Sequence, residues 1–234
     1  MQNKQRSLLF LILLLLILMG NSQAEKDGIK LVNYPTHSPF KSRLQLTSID
    51  ELNHIIVLPN SSFNEAEAAK IIANIDRLPN SLLSKVRKNG IIVKLFTNKL
   101  TDNPTAAHLS GKVPRGYEKD TTWDDIPGVG GGHTVLVKIG SSEKGSGHGS
   151  VNLELHELAH SIDRQVFDEI RKQKDFLMIW NLEKDRLFPY NRYLLTYPEE
   201  YFAEAFVYYY INDSYREKLR KDAPLTYDFI KNLK

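Results

Sequence analysis

The sequence predicts an α+β fold, with an N-terminal α/β lobe around a small mixed sheet and a C-terminal helical lobe. Three observations carry that reading. Up to residue 96, short apolar runs closed by turn residues alternate with helix-like segments. Residues 103–149 are rich in Gly, Pro, Ser and Asp and embed one further strand. From residue 151 almost to the end, apolar side chains recur at helical spacing. A chain of 234 residues suits one domain or a compact pair of lobes with a sizeable core. The change of texture places the lobes at about 25–149 and about 150–234.

The elements follow in order. Lys4 and Arg6, the apolar run 8–19 and Ser22-Gln23-Ala24 read as a secretory signal over residues 1–24, with cleavage after Ala24 expected and retention as an uncleaved anchor the alternative. The apolar run falls short of the roughly 20 residues of a membrane span, so a secreted protein without stable membrane insertion after signal cleavage is expected. After a polar stretch to about residue 50, residues 54–58 read as a buried strand stopped by Pro59-Asn60. Ala68, Ile71, Ile72 and Ile75 mark one face of a helix over 64–75, ended by Pro79-Asn80. A short helix, 81–88, leads through Asn89-Gly90 into a strand at 91–96. Another strand, 134–139, lies inside the long loop, and loops of this length usually carry function. The run Gly128-Val129-Gly130-Gly131-Gly132 lacks the following helix and the Lys-Ser/Thr pair of a phosphate loop, which argues against a nucleotide site and leaves a flexible loop. Helices are expected over 151–172, 175–183, 199–211, 214–221 and from 226 onward.

Composition narrows the partners. Formal net charge is +3, and the leader carries two of the positive charges, Lys4 and Arg6, so +1 remains on the mature chain. A field that small recruits neither nucleic acid nor an anionic membrane. The chain has no cysteine, so an exported form depends on its core and any bound metal rather than on disulfides.

Chemistry concentrates in His156-Glu157-Leu158-Ala159-His160. Residues four apart share one face of a helix, so both imidazoles can reach a single zinc at about 2.0–2.1 Å. Glu157 projects toward the remaining coordination position, where a carboxylate can take a proton from water and return it to a leaving amine. Leu155, Leu158, Ala159, Ile162, Val166 and Ile170 form an apolar stripe that packs this helix into a core. A catalytic zinc of this type needs a third ligand. Glu200 and Glu204 share a face with Ala203 and Val207, where a charge is costly unless paired or bound. One of them can ligate while the other fixes a histidine from behind. Asp163, one turn beyond His160, is a further outer candidate. Glu199 also has a structural explanation, because Thr196-Tyr197-Pro198-Glu199 reads as a capping box with Pro in the first turn. His133 and His148 lie in Gly-rich loops and read as exposed residues without a metal role.

At these residues the chain resembles the Pro-Pro endopeptidases, secreted bacterial zinc peptidases related to the catalytic domain of anthrax lethal factor. The match runs through Gly111-Lys112-Val113-Pro114-Arg115-Gly116, Thr122-Trp123-Asp124-Asp125, Gly147-His148-Gly149, Asn152-Leu153-Glu154-Leu155-His156-Glu157 and Tyr197-Pro198-Glu199-Glu200-Tyr201-Phe202-Ala203-Glu204-Ala205-Phe206. The resemblance implies a zincin-like fold with the metal helix at the cleft between the lobes. It implies one Zn2+ per chain on His156, His160 and Glu200, Glu157 as general base and Glu204 in the outer shell. It also implies an oxyanion-stabilising tyrosine seven residues before the ligand glutamate, which is Tyr193, with Tyr190 and Tyr197 as rivals nearby. Trp123 resembles the family's substrate-contacting tryptophan. The substrate set is completed by the Gly-rich loop at Gly131, Gly132, His133 and Thr134 and by Glu199, with strand 134–139 expected to pair an extended peptide. A Pro-Pro bond offers no N–H and is stiff and extended, so an aromatic wall would replace the missing hydrogen bonds. Residues 124–133 depart from the family pattern, which leaves the subsites around the prolines open. The implied activity is hydrolysis of Pro-Pro bonds in Pro-rich surface or secreted proteins by a monomer. Two rival readings are a peptidase of the same fold with toxin-like or broader specificity, and a non-catalytic surface-binding module.

Overall fold

The computed structural model describes residues 28–117 and 120–233, and the signal expected over 1–24 lies outside them. Five strands form one mixed sheet: β1 (Ile29–Lys30), β2 (Ile56–Leu58), β3 (Ile92–Phe96), β4 (Gly128–Val129) and β5 (Thr134–Lys138). Their spatial order is β1-β2-β3-β5-β4. β2, β3 and β5 run parallel, and the two-residue strands β1 and β4 pair antiparallel at the two edges. Helices α1 (Pro39–Arg43) and α2 (Ile49–Ile55) precede β2. Parallel neighbours need a crossover, and α3 (Glu65–Ile75) with α4 (Asn80–Lys88) supplies the one from β2 to β3.

Successive side chains of a strand point to opposite faces, and in β5 both faces are buried. Val135 and Val137 enter the main core with Val93, Leu95, Ile71 and Ile72, whereas Leu136 joins Phe96, Leu100, Ala106 and Ile126 in a second cluster under the loop on the other face. Asn64 caps α3 by accepting from the amides of Ala66 and Glu67 at 3.1 and 3.2 Å, and Ala68, Ile71, Ile72 and Ile75 are fully buried as their spacing predicts. Burying each isoleucine stabilises the fold by about 1.5–3 kcal/mol.

The second half is helical: α5 (Leu153–Ser161), α6 (Lys174–Leu187), α7 (Arg192–Thr196), α8 (Pro198–Ile211), α9 (Asp213–Asp222) and α10 (Pro224–Lys231). α5 packs on α8 on one side and on α3, β4 and β5 on the other. It therefore lies between the sheet and the helical layer, and one hydrophobic cluster runs from Leu31 to Ile230 through it. No helix among the described residues is long and apolar enough to cross a membrane.

Three local expectations are corrected. His54 and Ile55 belong to α2, not to a strand, because Ile49, Leu52 and Ile55 already mark a helical face with Asp50 and Glu51 in its first turn. The helix expected over 151–172 stops at Ser161 and gives way to a π turn, Ile162–Val166, and then to Asp168 and Glu169 in the left-handed region. Asp163 causes the break: its carbonyl accepts from the Glu169 amide at 2.8 Å and its carboxylate from the Arg171 amide at 2.9 Å. The capping box at Thr196–Glu199 is not formed. Thr196 Oγ1 donates back to the Arg192 carbonyl at 2.7 Å, and Tyr197 is the N-cap before Pro198.

Candidate metal centre and its cleft

Helix α5 is placed before its histidines are. Asn152 caps it by accepting from the Leu155 amide at 3.1 Å. The buried Glu154 Oε1 accepts from Asn74 of α3 at 2.7 Å and from Asn152 at 2.8 Å, tying α5 to the layer behind it. Burial pushes the Glu154 carboxyl above its ordinary range. One turn on, His156 and His160 face α8, which presents Glu200 and Glu204 from its own buried face.

Three donor atoms converge there. His156 Nε2 lies 3.2 Å from His160 Nε2 and 3.3 Å from Glu200 Oε2, and His160 Nε2 lies 3.5 Å from the same oxygen. Ligand atoms about 2.0–2.1 Å from a tetrahedral zinc stand about 3.3–3.4 Å apart, so the three edges of this triangle have the length such an ion requires. Glu204 Oε2 meets His156 Nδ1 at 3.1 Å, and its Oε1 accepts from the Val151 amide at 2.9 Å. With Nδ1 donating to Glu204, loss of the Nε2 proton leaves a His156 lone pair turned to the centre. Burial opposes a charge on His156, but the Glu200 and Glu204 carboxylates outweigh it and hold a proton there up to about 10. Burial likewise opposes the charge on Glu200, and the two histidines hold its carboxyl far below the usual range. The two carboxylates thus make the centre of the site favourable to positive charge. Among the described residues, His156, His160 and Glu200 are the group with metal-holding geometry.

Glu157 stands next to this triangle, and burial raises its carboxyl above the ordinary range, a shift that eases proton exchange near neutral pH. Tyr193 Oη donates to Glu200 Oε1 at 3.0 Å, and burial pushes the phenol well up, so it stays a donor. Its rivals sit differently. Tyr190 is 97 % exposed with φ 69°, and Tyr197 stacks under the Arg115 guanidinium at 3.8 Å.

A cleft of about 1190 Å³ opens over the triangle, walled by Leu109, Tyr117, Trp123, Phe188, Tyr193 and β4. Trp123 does two things at once: it packs on the second hydrophobic cluster and lines the cleft. Asp124 holds its loop, accepting from Thr101 Oγ1 at 2.5 Å, the Gly111 amide at 2.7 Å and the Ser110 and Thr122 hydroxyls at 3.1 Å each. Glu199 also lines the cleft and accepts from Arg115 at 2.8 Å.

Other sequence expectations land elsewhere. Asp163 is buried and bonded to Arg171, which turns it away from the histidines. Gly131 is buried with its amide on Ser161 Oγ at 2.9 Å, His133 is exposed, and Thr134 pairs with Ile92, so Gly131, Gly132, His133 and Thr134 stand outside the cleft wall. β5 cannot pair a peptide along Leu136–Val137, because β3 and β4 occupy its two edges. The strand at the cleft is β4, formed by Gly128 and Val129 at the start of the run expected to be a flexible loop. Gly130, just beyond it, lies so close to α5 that a Cβ would come within 1.9 Å of the Glu157 carbonyl oxygen. His148 is half-buried rather than exposed; its Nε2 bonds the Ser141 carbonyl at 2.8 Å and its ring lines the cleft. The sequence gives no role to Arg115 or Tyr117, because nothing in the loop Gly111–Gly116 says which distant helix the Arg115 guanidinium will meet.

Residues 44–233 match the family described as anthrax toxin lethal factor, N- and C-terminal domain. A Pro-Pro endopeptidase of Clostridioides difficile strain 630 is 43% identical over 185 residues, 79% of this chain and 83% of that protein. One of Paenibacillus alvei is 41% identical over 183 residues, 78% of this chain and 84% of that protein. The solved structure of the Pro-Pro endopeptidase from Paenibacillus alvei superposes with a TM-score of 0.74 at 40% identity, covering 80% of this chain and 100% of that one.

Proposed function

The chain belongs to the Pro-Pro endopeptidase family, and we propose that it is a secreted zinc endopeptidase that hydrolyses Pro-Pro bonds in Pro-rich extracellular or cell-surface proteins. The observation that carries the reading is the triangle of His156 Nε2, His160 Nε2 and Glu200 Oε2, with edges of 3.2, 3.3 and 3.5 Å, beside the half-buried Glu157 carboxylate and a phenol donor. His156, His160 and Glu200 would hold one zinc ion, and Glu204 would fix the His156 ring through Nδ1. When bound, zinc supplies a Lewis acid that polarises the scissile carbonyl and acidifies water.

The residues of the chain do the rest. Glu157 takes the proton of the attacking water and returns it to the proline nitrogen that leaves. Tyr193 turns its single hydroxyl proton from Glu200 Oε1, which Arg115 still holds, to the oxygen on which charge develops. Prolines cannot donate to a strand ladder, so the Pro-Pro segment rests against Trp123 and Tyr117 while its flanks pair with β4. Export rests on the leader-like residues 1–24, whose charged start, apolar run and short residues fit a cleaved signal.

The test is cleavage-site mapping on a peptide library that varies the residues around Pro-Pro, with metal analysis and a chelator control. Cuts confined to Pro-Pro and abolished by the chelator are expected. Cuts without regard to proline would replace the reading with a broader peptidase, and no metal-dependent cutting would end it. N-terminal sequencing of protein recovered from culture medium checks the leader, with a new start at Glu25 expected.

A further inference from the structure

We infer that Arg115 is a positioning residue for the reaction, a side chain that holds Glu200 and Tyr193 in register through one shared oxygen. The inference rests on the reading of Glu200 as a metal ligand and Tyr193 as a donor, and goes beyond it by giving a role to the loop at Gly111–Gly116. Arg115 Nη2 donates to Glu200 Oε1 at 3.0 Å and to Glu199 Oε1 at 2.8 Å. Tyr193 Oη donates to that same Glu200 oxygen at 3.0 Å. The two oxygens of Glu200 are thereby divided: Oε1 is held by a guanidinium and a phenol, and Oε2 alone faces the histidines. A carboxylate free at both oxygens can rock between one-point and two-point coordination, and this one is fixed to one point.

The guanidinium is itself held on a face. It stacks on the Tyr197 ring at 3.8 Å and lies 5.6 Å from the Tyr193 ring, while the two rings meet edge to face at 5.1 Å. The next residue presses the loop against the same phenol. Gly116 has φ 86°, and a Cβ there would lie 2.8 Å from Tyr193 Cε2. A planar cation that stacks on a ring while its terminal nitrogen reaches two carboxylates is a task for arginine rather than lysine. The pairs involve an Arg115 side chain that is 48% exposed, and exposed ion pairs contribute little to stability. Its effect belongs in the geometry of the site rather than in the fold.

The experiment uses the full mature chain with Arg115→Met, which keeps the stem without the charge, and Arg115→Lys, which keeps the charge without the stacking guanidinium plane. It reads kcat and KM on a Pro-Pro peptide, zinc retention against a competing chelator, and Tm. For Arg115→Met, kcat is expected to fall about 10- to 100-fold and zinc to be released at about 10-fold lower chelator, with KM moving less and Tm near the parent's. Arg115→Lys should fall between. In a Tyr193→Phe background Arg115→Met should cost less than in the parent, because both act at one oxygen. Unchanged kcat and zinc retention in a folded Arg115→Met protein would overturn the inference, as would a loss confined to KM and additive with Tyr193→Phe. Should Arg115→Met not fold, Arg115→Lys decides alone: parental turnover and zinc retention there would overturn it. A parent that cuts Pro-Pro and holds zinc isolates these outcomes from the site reading, and a parent that does neither overturns both.

Discussion

Helices α3 and α8 sit in the same core and treat charge in opposite ways. α3 leaves Glu65, Glu67 and Lys70 toward solvent and buries Ala68, Ile71, Ile72 and Ile75. α8 buries Glu200 and Glu204 among Tyr201, Phe202, Ala203 and Phe206. A buried carboxylate is costly unless every oxygen is answered, and each of these four oxygens is: by His156, His160, Arg115, Tyr193 and the Val151 amide. In α3 the local pattern and the packing agree, which is what a helix built for stability looks like. In α8 the pattern is broken and the compensation is the site itself.

Substitutions on the two sides should separate cleanly. Glu157→Gln should lower turnover about 10³-fold while metal analysis finds the zinc of the parent; lost zinc would instead make Glu157 part of the holding group. Tyr193→Phe should lower turnover about 10²-fold with zinc retained, measured as kcat on a Pro-Pro peptide, and full activity would move the donor role to another tyrosine. Asp124→Asn should raise KM several-fold with kcat nearly kept, because the loop that carries Trp123 loses its anchor. Hydrogen bonds from Thr101 and the Gly111 amide hold the Asp124 carboxyl below its ordinary value of 3.8. That anchor is complete above the unfolded value and is lost only as pH falls through the depressed one, so the parent KM should stay flat from neutral pH down to about 5. Ile72→Ala should cost about 2–5 kcal/mol in a denaturant titration and leave kcat of the folded protein unchanged. A matching loss of turnover there would break the separation between the two helices.

Much of this was legible beforehand because local rules and tertiary packing coincide. The face of Ala68, Ile71, Ile72 and Ile75, the strand at Val93 and Leu95, and the pairing of His156 with His160 follow from spacing alone. Glu200 and Glu204 stand out in the sequence because they interrupt an apolar face. Other features had no local signal. Asp168 and Glu169 take left-handed backbone without a glycine because Asp163 and Arg171 hold them there, a contact that only the folded chain shows. Gly128-Val129 reads as loop because glycine disfavours strands, yet it is the edge that borders the cleft. His148 reads as solvent-facing because its neighbours are Gly147 and Gly149, although the fold turns its ring inward.

The seat of Gly130 against the Glu157 carbonyl sets a limit on how this enzyme can change. Backbone meets backbone there, so the spacing between the cleft edge β4 and helix α5 has no side chain through which mutation can adjust it. Divergence toward other substrates has to run through the walls, by exchanging Leu109, Tyr117 or Trp123, over a floor whose height every descendant inherits.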